Sequence, residues 1–138
     1  MRFLISLTAA CLLAVPAFAD SWDQVQPVSD PVVKKECSAC HLAYPAKYLN
    51  AETWTKITGD LAHHFGEDAT LPADKVQVIQ AYYQQNAGRS QTGALRISEQ
   101  SWWLLKHRAV GQSKFAEAKS KANCQACHEG ADKGQFKN

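Results

Sequence analysis

The sequence has 138 residues, enough for one domain, and sets 15 Lys and Arg against 13 Asp and Glu with no block of either sign. That balance excludes a basic nucleic-acid-binding arm and an acidic disordered tail. No stretch reaches the ~18 consecutive apolar residues of a membrane span, so none is expected in the mature chain.

Residues 1–19 predict a cleaved secretory leader. Arg2 supplies the positive start, Phe3 to Val15 is an almost uninterrupted apolar run, and Ala17-Phe18-Ala19 has the small-x-small cleavage pattern. Cleavage after Ala19 leaves residues 20–138 as a single exported domain and points to the periplasm. Cys11 departs with the leader, and so does Met1, the only methionine.

Asp20 to Ser29 is polar and reads as an irregular opening segment. Asp30-Pro31 predicts a helix start, with Asp as N-cap and Pro at the first helical position. That helix runs through Val32 and Val33 into Cys37-Ser38-Ala39-Cys40-His41. Leu42 to Leu49, with Tyr44-Pro45, reads as a loop. Asn50 caps a second helix over 51–65, stopped at Gly66. Its apolar stripe is Trp54, Ile57, Leu61 and His64, with His63 rotated about 100° away. Leu71-Pro72 opens a third helix through Val76, Ile79 and Tyr83, ending before Gly88.

Gly88 to Ile97 is linker-like. A fourth helix follows Ser98 or Ser101 and ends at Gly111, with Trp103 and Leu104 on the face of His107. Gln112 to Asn123 is polar and lysine-rich. Cys124-Gln125-Ala126-Cys127-His128 then opens a short helix, and Gly130 to Asn138 reads as a tail. No strand alternation persists, so the predicted fold is all-α, with short helices and long loops.

The two C-x-x-C-H stretches use every cysteine left after cleavage, and C-x-x-C-H is the attachment motif for c-type haem. Two thiols at that spacing reach the two vinyl groups of one porphyrin as thioethers, and the next histidine lies under the iron. The sequence therefore predicts two covalently attached c-type haems, held by Cys37, Cys40 and His41 and by Cys124, Cys127 and His128. A zinc site or disulfides would not require a histidine after each second cysteine. The haems would also supply much of the core of so short a chain, and the apo-protein is expected to be largely unfolded.

Without methionine, His/Met ligation is excluded for both irons. His63, His64 and His107 remain for two distal positions, ahead of a lysine or the N-terminal amine. His64 is favoured over His63 by its apolar face, and His107 is the histidine available in its half. Local pairing, His41 with His64 and His128 with His107, closes shorter loops than the crossed arrangement, a mild preference. Two imidazoles close each iron to oxygen and peroxide, which suits electron transfer rather than catalysis. The alternative is one five-coordinate iron, giving a haem enzyme or gas-binding protein. Arg89, Arg96 and Arg108 are candidates for the haem propionates.

The chain resembles the small periplasmic dihaem cytochromes c of DHC type. The likeness rests on 37–45 (Cys37 to Pro45), Trp54, His64-Phe65-Gly66-Glu67-Asp68-Ala69, Leu95-Arg96-Ile97, the aromatic pair before Lys106-His107-Arg108, and 122–128. The resemblance implies bis-histidine haems, with the distal histidines falling on His64 and His107, and an electron-carrier role. It also implies redox partners, a membrane cytochrome b upstream and a soluble oxygen-binding monohaem cytochrome c downstream. A weaker likeness, to the dihaem small subunit of periplasmic nitrate reductase, implies instead an electron-transfer subunit of a reductase. A monomer is expected.

Overall fold

The computed structural model describes residues 23–89 and 93–137. The leader expected over 1–19, the first residues of the opening segment and part of the linker lie outside the described residues.

Helix α1, Pro31–Cys37, starts as its sequence requires. The Asp30 carboxylate accepts from the Val32 and Val33 amides at 2.9 and 3.0 Å, and Pro31, which lacks an N–H, costs nothing there. The helix stops at Cys37, short of His41. Helix α2, Ala51–Gly59, is capped by Asn50, whose side chain accepts from the Thr53 amide at 2.7 Å. Helix α3, Ala73–Asn86, follows Pro72. It packs on α2 and α1, burying Val33, Leu49, Trp54, Ile79 and Tyr83 together. Trp54 stacks on Tyr83 with centroids 3.8 Å apart, and its indole N–H donates to the Ala46 carbonyl at 2.8 Å. Both polar tips in this core are therefore spoken for, since the Tyr83 hydroxyl donates to the Tyr44 carbonyl.

The second helix is shorter than its apolar stripe suggests. Thr55 and Thr58 turn their hydroxyls back onto the Ala51 and Trp54 carbonyls, and Gly59 follows, a poor helix former. A 3-10 turn, Leu61–His63, replaces the expected last turn and a half. Phe65 (φ 57°) and Gly66 (φ 107°) then give the two successive positive φ values of a type I′ turn. His64 and Glu67 exchange both backbone hydrogen bonds across it, at 2.9 and 3.1 Å.

Helix α4, Ser101–Lys106, ends before Gly111, and a separate helix α5, Gln112–Glu117, lies in the polar, lysine-rich stretch, where the sequence reading placed no helix. The second motif forms a 3-10 turn, Cys124–Ala126, rather than a helix. Trp102 packs on Tyr48 of the first half at 4.8 Å. The last residues are no loose tail. Gln24 and Gln135 form an antiparallel bridge, the Val25 amide donates to the Gly134 carbonyl, and the Phe136 amide donates to the Asp23 carbonyl. Gly134 has φ 75°, and a Cβ there would run into the Val25 carbonyl. Among the described residues, no helix is long and apolar enough to cross a membrane. The architecture is all-α, as expected, with isolated bridges in place of strands.

Candidate haem-binding site

Each C-x-x-C-H motif folds as a tight turn that sets cysteine and histidine side by side. In the second, the Cys127 and His128 amides both donate to the Cys124 carbonyl, at 3.2 and 2.8 Å. The first cysteine of each motif, Cys37 or Cys124, is half-buried, and the second, Cys40 or Cys127, is exposed; no disulfide joins any of the four.

The four histidines come together as two pairs. The His41 and His64 rings lie 6.1 Å apart between centroids and within 12° of parallel. The His107 and His128 rings lie 6.2 Å apart, at 89°. Two imidazoles binding one metal from opposite sides, each through a bond of ~2 Å with the ring centre about 1 Å behind the nitrogen, have centroids roughly 6 Å apart. Both spacings match that requirement. The pairing is local in both cases.

The donor chemistry fits as well. His41 Nδ1 lies 2.7 Å from the Leu42 carbonyl and His107 Nδ1 lies 2.9 Å from the Trp103 carbonyl. A carbonyl only accepts, so the proton sits on Nδ1 and the Nε2 lone pair of each ring is left for a metal. Burial holds His64 below its ordinary range, which favours the neutral imidazole a metal ligand must be. Its buried Nδ1 has no hydrogen-bond partner among the described residues. His63, by contrast, is exposed and holds Asp60 at 2.8 Å. The residues present therefore fit two haems, each with cysteines from one motif and a histidine from either side.

Aromatic side chains fix the ring orientations. Trp103 lies flat on His107, 4.0 Å away at 15°, and Tyr44 lies on His41, 4.8 Å away at 22°. Phe136 stands edge-on to His128 at 5.7 Å, and the Arg96 guanidinium caps the Phe65 ring at 4.5 Å. Trp103 is legible from its spacing to His107. The aromatic three residues after His41 was a signal for Tyr44. Phe136 had none, since its place beside His128 depends on its backbone bond to Asp23 at the other end of the described chain.

The dihaem cytochrome c family profile matches residues 33–136. Two solved structures of similar fold come from Rhodobacter sphaeroides. One, described as DHC purified from that organism, is 46% identical, with TM-score 0.76, covering 80% of this chain and 99% of its own. The other, a diheme cytochrome c, is 41% identical, with TM-score 0.76, covering 81% and 100%. A diheme cytochrome c from Shewanella baltica is 34% identical, with TM-score 0.70, covering 78% and 86%. No curated protein matches the chain significantly. With both motifs inside the matched span and near-complete coverage of the Rhodobacter structures, the chain belongs to the dihaem cytochrome c family and carries two c-type haems.

Proposed function

We propose that this protein is a periplasmic electron carrier and not an enzyme, relaying single electrons through two six-coordinate haems. Cys37 and Cys40 attach the first and Cys124 and Cys127 the second. His41 with His64, and His107 with His128, would hold the two irons. The observation that carries this reading is the spacing of the two imidazole pairs, 6.1 and 6.2 Å.

When bound, the haems supply a one-electron couple whose potential depends on ligands and burial. The chain's own residues do the rest. Leu42 and Trp103 carbonyls hold the tautomers of His41 and His107, and Tyr44 and Trp103 hold the ring planes. With two imidazoles at each site no position would be left open for substrate, and the charge could change without ligand exchange. The leader read in residues 1–19 supports export, and the family resemblance supports a membrane cytochrome b as donor and an oxygen-binding monohaem cytochrome c as acceptor.

A pyridine haemochrome assay on the purified protein should return two haems per chain. The ferric spectrum should be low-spin throughout, and the ferrous protein should not take up carbon monoxide. A high-spin band, or carbon monoxide binding to one haem, would refute the double bis-histidine assignment.

A further inference from the structure

We propose that Tyr44 is the relay between the two haem sites, linking the imidazole of His41 to the thioether residue Cys124 through one ring stack and two hydrogen bonds. The proposal rests on the ligand assignment above.

Tyr44 touches both halves of the molecule. Its ring lies on the His41 imidazole with centroids 4.8 Å apart and planes 22° apart. Its hydroxyl donates to the Ala122 carbonyl at 2.8 Å, across 78 residues of sequence. The same carbonyl accepts the Cys124 amide at 3.1 Å. The route therefore runs from His41 through the phenol ring, the Ala122 oxygen and the Cys124 backbone to its Sγ. It crosses one van der Waals gap, where tunnelling decays steeply, and is otherwise covalent or hydrogen-bonded, where decay is shallower.

The residue is held for this from behind. The Tyr44 carbonyl accepts the buried Tyr83 hydroxyl at 3.2 Å, Tyr83 is itself clamped on Trp54, and Pro45 restricts the backbone of the residue before it. The Tyr44 hydroxyl is the donor of its bond to the Ala122 carbonyl and keeps its own proton. The carbonyl it meets cannot take that proton. One electron passes from the reduced first haem to the oxidised second, while Tyr44 remains a neutral phenol and is itself neither oxidised nor deprotonated.

The test uses the full haem-loaded protein with Tyr44→Phe, which keeps the stack and removes the hydrogen bond, and Tyr44→Leu, which removes both. Exchange NMR on half-reduced samples follows the haem-methyl signals of the two sites and reads the intramolecular rate. EPR and midpoint potentials are recorded alongside. Tyr44→Phe, which keeps the stack on His41, should slow the intramolecular exchange several-fold with both haems still low-spin and the difference between their potentials unchanged; Tyr44→Leu, which also frees the His41 ring, should slow it further than its measured shift in potential accounts for. A wild-type rate in Tyr44→Leu would overturn the relay and leave direct passage between the haem edges. A high-spin signal in the wild-type protein would instead overturn the ligand assignment, so the two failures are distinguishable.

Discussion

His107 and His128 hold their rings almost perpendicular, at 89°. The His41 and His64 rings, at nearly the same separation, are within 12° of parallel. Both orientations are imposed by the protein, through Trp103 stacked on His107 and Tyr44 on His41.

The two haems should therefore be distinct by EPR. Parallel imidazole planes split the two iron d orbitals that interact with the ligand π systems, and the signal is rhombic. Perpendicular planes leave those orbitals nearly degenerate, and the signal is highly anisotropic with its leading g value at lower field. Frozen ferric protein should give one signal of each kind in equal amounts. Two identical rhombic signals would contradict the geometry at His107 and His128.

Replacing His107 with Ala should make one haem high-spin, abolish the anisotropic signal and leave the rhombic one. His64→Ala should do the reverse. His63→Ala should alter neither, because His63 faces solvent and holds Asp60, an exposed pair that contributes little to stability. Visible and EPR spectra of the three variants check all of this.

The sequence favours His64 over His63 by an apolar helical face, and the structure sets His64 beside His41 by a different route. The argument needed a continuous helix from Ala51 to His64, and α2 ends at Gly59. The 3-10 turn and the two positive φ values at Phe65 and Gly66 aim His64 at His41 instead. Such turns carry no apolar period. The motifs, the caps at Asp30 and Asn50, and α3 were all readable, because each is local chemistry. The pairing of residues 23–25 with 134–136 was not, since it is made by backbone groups that every residue has.

Glu36 on α1 and Lys75 on α3 form an ion pair at 2.6 Å, beside Cys37. The hydrogen bond to Lys75 lowers Glu36 below its ordinary 4.5, and the same bond raises Lys75 above 10.5. A depressed carboxylate contributes stability above its unfolded pKa and loses it as pH falls; a raised amine contributes below its own and loses it as pH rises. The pair should therefore stabilise the fold fully between those values. Glu36→Gln should lower Tm at pH 7, with the difference from wild type shrinking as pH falls below 4.5. Thermal unfolding followed at the Soret band measures it; a difference independent of pH would show that the pair contributes nothing.

Gly134→Ala should destabilise the protein by about 1–3 kcal/mol, from a strained left-handed backbone with a Cβ against the Val25 carbonyl. Because Phe136 stands against His128, Soret circular dichroism of the second haem should change while that of the first does not. Urea unfolding gives the first number, and the parallel spectra check the second.

The pairing of the chain ends also sets an order of manufacture. A chain made from its N-terminus offers residues 23–25 long before 134–136 follow, so these early residues wait without partners. Cys124 and Cys127 emerge only shortly before the closing segment. Once Phe136 seats against Tyr48 and His128, the second attachment turn is walled in on that side. Closure of 23–25 on 134–136 is therefore the last contact the fold can make, because it needs residues from both ends of the described chain.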